Sequence, residues 1–220
     1  MGQVRFTPLT PARLADALAD WVLDRACQVE PPAGTVVGFD GLAEIGASEL
    51  ADEVADALRG SGRQIIRAST SWWWRPSALR LELGRQDLDM LLTGWVDSDA
   101  IERELVQPVR AGGSTHITRL RDPDTDRSVR QRGRPVSPGA VLLVDGPFLL
   151  AADLELDGVV SFSVSRGSLD RALPDDRKWW VGAFARYQDD YAPADRSDVL
   201  LSYDHASAPA ASGLEVTRLR

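Results

Sequence analysis

Short β-branched runs alternate along this chain with longer stretches in which apolar residues return every three or four positions, so strands and helices are predicted in turn. After Thr10 and Pro11, Leu14, Leu18, Trp21 and Val22 share one helical face, with Thr10 as N-cap and Pro11 at the first helical position. Thr35 to Phe39 is a buried-strand run closed by Asp40 and Gly41. From Ala47 onward Leu50, Val54, Ala57 and Leu58 keep helical spacing until Gly60 and Gly62 stop it. Gln64 to Ala68 reads as a second strand. Pro76 to Val109 reads as mostly helical, with breaks near Gly84 and Gly94, a restart at Asp97 and an end at Pro108. Thr115 to Leu120 and Arg127 to Gln131 flank a turn at Asp122 to Asp126 and predict a β-hairpin. Ala140 to Val144 is strongly apolar and ends at Asp145 and Gly146, as a central strand does. Val159 to Val164 and Asp198 to Leu201 complete the set, with a helix-rich stretch from Ser168 to Tyr191 between them. The expectation is an α/β fold of three layers: a five-stranded parallel sheet, helices on both faces, and an additional N-terminal helix.

Composition narrows the function classes. A chain of 220 residues supports one good-sized core. A formal net charge of −8 argues against nucleic acid or an anionic membrane as partner. Cys27 is the lone cysteine, which excludes an internal disulfide framework and fits a reducing compartment. With no long apolar run and no leader-like start, the expected location is cytoplasmic and the expected partner a small molecule, a homodimer being left open. His116 and His205 are far apart and carry no zinc-ligand spacing.

Gly41 to Ser48 (GLAEIGAS) keeps the spacing of a phosphate-binding loop, G-x-x-x-x-G-K-[ST], between the first of the five strands and a helix start. Such a loop wraps phosphates in backbone N–H groups and adds a lysine cation. Here Ala47 stands at the lysine position, and Lys178 is the only lysine in the chain. Glu44 puts a carboxylate inside the loop, where it repels phosphate unless neutralised. Asp145 falls where a carboxylate would hold Mg²⁺ together with Ser48. A serine at a helix start is equally a capping residue.

In their shared order, several segments resemble the uridine kinase-like family of P-loop nucleoside kinases, particularly divergent bacterial members with an extra N-terminal helix. They are TPARLADALADWV (Thr10 to Val22), FDG with ELADEVADAL (Phe39 to Leu58), RAS with RPSALRLELGR (Arg67 to Arg85), GGS with DPDTDR (Gly112 to Arg127) and PGAVLLVDGPFLL (Pro138 to Leu150). The resemblance implies a P-loop kinase-like domain over residues 33–205, preceded by an N-terminal helix within 1–32 and followed by an Ala/Ser/Pro-rich tail over 206–220. It also implies an acceptor region at 75–135 and a lid-like region at 166–191. Mg²⁺ and ATP are implied cofactors only if the chain acts as a kinase, and otherwise the cofactor is unknown.

Matched residue by residue, the family's phosphate-loop lysine falls on Ala47, while Gly41, Gly46 and the metal-binding hydroxyl, Ser48, are kept. The acceptor-site carboxylate is replaced by Ser71, Trp72, Trp73 and Trp74. An indole is no general base, and a serine is a poor one without an activator. Ser71 and Asp145 are the candidate catalytic residues. Trp72, Trp73 and Trp74, with Arg75, Arg80 and Arg85, are the candidates for binding substrate. Trp95, Trp179 and Trp180 lie on segments expected to face the same cleft. Alternate side chains of a strand point to opposite faces, so at least one of the three consecutive indoles faces away. Three functions remain open: a degenerate kinase whose acceptor cleft binds or transforms a planar, partly apolar molecule; an unconventional kinase using lid arginines such as Arg166, Arg171 and Arg177; and a nucleotide-sensing or scaffold protein.

Overall fold

A computed structural model describes residues 5–215. In chain order the strands are β1 (Thr7–Pro8), β2 (Thr35–Asp40), β3 (Ile65–Ser69), β4 (Thr115–His116), β5 (Arg134–Pro135), β6 (Val141–Gly146), β7 (Gly158–Ser163), β8 (Val199–Ser202) and β9 (Ala210–Ser212). The helices are α1 (Pro11–Gln28), α2 (Ala47–Leu58), α3 (Ser77–Arg80), α4 (Ser98–Ile101), α5 (Gln107–Ala111), α6 (Arg166–Ala172), α7 (Trp180–Tyr191) and α8 (Pro193–Arg196). All five predicted parallel strands form, in the order β3-β6-β2-β7-β8. The sheet is nevertheless larger than expected. β9 adds antiparallel to β8 and β1 adds antiparallel to β9, giving seven strands in a mixed sheet. β9 comes from the Ala/Ser/Pro-rich tail, whose small residues carry no strand signal of their own and are ordered by pairing.

Period-two alternation on β6 explains the layers. Val141 and Leu143 face α1 and α2, joining Leu14, Leu18, Val22, Leu50, Val54 and Leu58 in one core. Leu142 and Val144 face the other way, onto Ile101 of α4, Leu105 and Val106 of the π-helical turn after it, and Val109 of α5. The N-terminal helix starts as its sequence predicts, with Thr10 Oγ1 accepting from the Arg13 N–H at 3.4 Å. Asp97 likewise caps α4 by accepting from the Ala100 N–H at 3.1 Å.

Two local expectations change. The helix restarted at Asp97 runs through Pro108 to Ala111, because a π-helical turn at Glu102–Val106 lies ahead of the proline, which has no N–H to donate. The predicted hairpin contracts to the two-residue β4–β5 ladder plus one bridge between Arg121 and Ser128. Polar side chains hold the rest of that arm, with Gln131 Oε1 accepting from the N–H groups of Thr118 and Arg119.

Asp40 ends β2 and is 5% exposed. Tyr187 donates its hydroxyl to Asp40 Oδ2 at 2.6 Å, and the Leu149 N–H donates to Oδ1 at 3.1 Å. These bonds favour the carboxylate, but burial outweighs them and pushes the Asp40 carboxyl up to about 6 from 3.8. A raised acid favours the folded state most when protonated, so this contribution is full below pH 3.8 and is lost as pH rises through about 6. Its span is on the order of 3 kcal/mol. Asp40→Asn is expected to remove that slope; urea melts of both proteins at several pH values check it, and parallel curves would refute it.

Candidate active site

Asp145, Ser69 and Phe39 lie side by side at the carboxyl ends of β6, β3 and β2, so three loops converge on one rim. A cleft of about 910 Å³ opens there, where ligands of open α/β sheets are bound. Its floor includes Ser48 and Asp145, and its wall includes Trp72, Trp74, Trp95, Trp179 and Trp180.

The Gly41–Ser48 loop occupies one end of the cleft. Leu42 is buried, and Ala43–Ile45 form one 3₁₀ turn. Gly46 follows at φ 95°, the left-handed conformation that lets α2 begin at Ala47. Within this turn the Ile45 N–H donates to the Leu42 carbonyl at 3.2 Å, Gly46 to Ala43 at 2.8 Å and Ala47 to Leu42 at 3.1 Å. Three amides that could point at an anion are thus bonded to the loop's own carbonyls. Ala47 is fully buried in the α1–α2 core. Glu44 is neutralised by an ion pair with Arg177, which lies just ahead of α7.

Asp145 is 2% exposed, and both its oxygens are engaged. Ser48 donates its hydroxyl to Oδ2 at 2.6 Å, and Arg67 Nη2 donates to Oδ1 at 2.9 Å. Arg80 is buried between the rings of Trp74 and Trp95, its guanidinium carbon 4.9 and 4.8 Å from their centroids. Burial lowers its pKa, and Asp126 opposes that shift from 3.4 Å. Trp180 packs edge-on to Trp95 at 5.5 Å between centroids. The aromatic wall is therefore one contiguous cluster joining Trp74 and Trp95 to Trp179 and Trp180.

No protein-family model matches this chain, and no curated protein matches it. Solved structures do. A candidate uridine kinase from Bacillus stearothermophilus superposes with a TM-score of 0.64 at 21% identity, covering 85% of this chain and 98% of that one. A candidate fructose transport system kinase from Silicibacter sp. TM1040 gives 0.55 at 23% identity, over 82% of this chain and 92% of that one. The YGR205w protein gives 0.56 at 11% identity, over 94% of this chain and 100% of that one. The fold is that of P-loop kinases. Among the described residues no helix is long and apolar enough to cross a membrane.

Within this kinase-like fold the predicted residues are only partly brought together. Ser48, Ser71, Trp72, Trp74, Arg80, Arg85 and Asp145 line the cleft. Gly41 and Gly46 shape the loop beside it; the Gly41 N–H is bonded to the carbonyls of Phe39 and Gly146. Trp73 does not line the cleft, because it turns into the core against α4 and α5 and is fully buried. Arg75 does not line it either. Its backbone braces the wall instead, with its N–H bonded to the Trp95 carbonyl and its carbonyl accepting from Arg80 Nε. Arg80 is a buried filler between indoles, whereas Arg85 lines the cleft as an exposed side chain. Ser71 meets only the Ser69 hydroxyl, at 3.1 Å, and has no basic partner among the described residues. Ser48 and Asp145, expected as metal ligands, bind each other, and no cluster of three His, Cys, Asp or Glu side chains suited to a metal occurs among the described residues.

Two residues escaped the sequence reading. Arg119 lays its guanidinium over Trp72 at 4.2 Å, from an arm whose polar pattern gives no hint of that contact. Arg67 reaches Asp145, and its signal was present in the sequence as a charge inside the otherwise apolar strand Ile65-Ile66-Arg67-Ala68, where a partner is required.

Proposed function

We propose that this protein has kept the kinase scaffold without ordinary ATP-dependent phosphoryl transfer, and that its former acceptor cleft binds a planar, partly apolar small molecule. The observation that carries the reading is the state of the charges around the cleft. Glu44 is paired with Arg177, Asp145 and Asp52 are paired with Arg67, and Arg80 lies between indoles, while Trp72, Trp74 and Trp179 stay partly exposed. A triphosphate needs unpaired cations and free amides. A flat ring needs aromatic faces and exclusion of water. Two of the three lid arginines offered for an unconventional kinase are engaged elsewhere, Arg177 with Glu44 and Arg171 with the Ser168 hydroxyl, while Arg166 is exposed at the start of α6 and does not line the cleft. Lys178 donates to the Asp170 carbonyl.

A fluorescence titration of nucleosides and flat heteroaromatic metabolites tests the reading, with Trp72→Ala as the paired variant. One lost stacking face is worth about 1 kcal/mol, so affinity for a ligand that quenches wild-type emission is expected to fall about fivefold. Unchanged affinity in Trp72→Ala would place the ligand elsewhere.

A further inference from the structure

A guanidinium has five N–H donors and no acceptor. All five of Arg67's are engaged by the protein. Nε donates to Asp52 Oδ1 at 2.8 Å, Nη1 to the carbonyls of Leu143 at 2.9 Å and Ala68 at 3.3 Å, and Nη2 to Asp145 Oδ1 at 2.9 Å and the Ser48 carbonyl at 3.4 Å. No donor is left over for a phosphate. Arg67 thus behaves as an internal cation bound on its cleft side by the two residues that a P-loop kinase would turn towards Mg²⁺.

The chemistry of that pair does not fit the metal. Mg²⁺ requires oxygen lone pairs in a near-octahedral shell. Here one Asp145 oxygen receives the Ser48 proton at 2.6 Å and the other receives Arg67 at 2.9 Å. A divalent ion brought to them would meet a fixed positive charge at a partly buried site on the cleft floor.

We propose that Arg67 is the resident cation of this site and excludes divalent metal from Ser48 and Asp145. The inference rests on the kinase-like placement of these two residues, and not on the identity of the cleft's ligand. It adds a rule of selection: molecules that arrive as magnesium complexes are refused, and those that arrive free of metal are admitted. Arg67 is a positioning residue in this account, since it acts through Asp145. A purely structural strut joining α2 to β3 and β6 would make the same bonds, so the test must read metal and not only stability.

Mn²⁺ binding by electron paramagnetic resonance, with thermal melts in MnCl₂ and MgCl₂, separates the two. Wild-type protein is expected to show no saturable Mn²⁺ site and no metal-dependent shift in Tm. Arg67→Met leaves Asp145, Ser48 and Asp52 facing the vacated place. It is expected to melt lower, to bind one Mn²⁺ at least about tenfold more tightly than wild type, and to regain part of its Tm with MnCl₂ but not with KCl. Adding Asp145→Asn should abolish that binding, while Arg67→Lys, which retains the charge, should stay blind to metal. A folded Arg67→Met protein that ignores Mn²⁺ overturns the proposal. If that variant does not fold, Arg67→Gln is read in its place: a folded Arg67→Gln protein with no Mn²⁺ site overturns the proposal, as does a single Mn²⁺ site in wild type that Asp145→Asn removes. A failed search for a planar ligand leaves these outcomes unchanged, and they do not depend on that search.

Discussion

Trp180→Ala is expected to lower stability by about 3–5 kcal/mol, the cost of deleting a large buried aromatic side chain and leaving its cavity. The indole is 1% exposed and touches three structural units at once. Its ring centre lies 5.5 Å from that of Trp95, 6.1 Å from Trp179, 6.4 Å from Trp74 and 6.4 Å from Phe148. Its Nε1 has no hydrogen-bond partner among the described residues, so truncation orphans no polar group there and the loss is one of packing. For a chain of this size the melting temperature should fall by on the order of 10 °C. The wall of the cleft should loosen with it, because Trp74, Trp95 and Trp179 are held by this ring. Denaturant melts measure the first effect and near-ultraviolet circular dichroism the second. A loss under about 1 kcal/mol would mean that α7 is not docked on Trp74 and Trp95 as described.

That cluster also marks how far the sequence could be read. The five parallel strands were legible because each is an apolar, β-branched run closed by turn residues, and burial on both faces leaves such runs little choice of structure. The caps at Thr10 and Asp97 were legible for the same local reason. β9 was not, since Ala210, Ala211 and Ser212 become a strand only through the partner they find in β8. The cleft was legible in outline because Trp72 and Asp145 both follow strands and so come to the same rim. Which of three consecutive indoles faces it was settled by tertiary packing, which buries Trp73 and leaves Trp72 and Trp74 at the surface of the cleft. Nor could spacing reveal that the glycine loop bonds to itself, or that Arg67 lies within reach of Asp145, which is 78 residues away along the chain.

Gly146→Ala should be the more damaging change close to the site. Gly146 follows Asp145 at φ 154°, and a Cβ built there would lie 1.8 Å from Thr70 Oγ1 and 2.9 Å from Thr70 Cβ. Thr70 is itself fully buried at the turn that leads to Trp72, so neither side has room to yield. Either the end of β6 or that turn must move, which pulls Asp145 from Ser48 and Arg67 or displaces the aromatic wall. A loss of about 3 kcal/mol or more is expected. Thr70→Ala alone should be mild, because Thr70 Oγ1 has no hydrogen-bond partner among the described residues. Combined with Gly146→Ala it should restore part of the loss, by removing the closest contact. A double-mutant cycle in urea reads this coupling directly, and strict additivity of the two changes would show that they do not meet.

The central proposal is that this kinase-like fold does not hold a magnesium nucleotide. Each charge-assisted phosphate contact that is missing forfeits roughly 1.5–3 kcal/mol. Here the lysine is Ala47, three loop amides are bonded internally, and Arg177 is taken by Glu44. Isothermal titration of the wild-type protein with Mg-ATP measures the consequence without any assumption about the true ligand. The expected result is no saturable heat up to about 1 mM nucleotide, an affinity weaker than about 4 kcal/mol of binding free energy. A single site with low-micromolar affinity would contradict the account and return the protein to the working kinases.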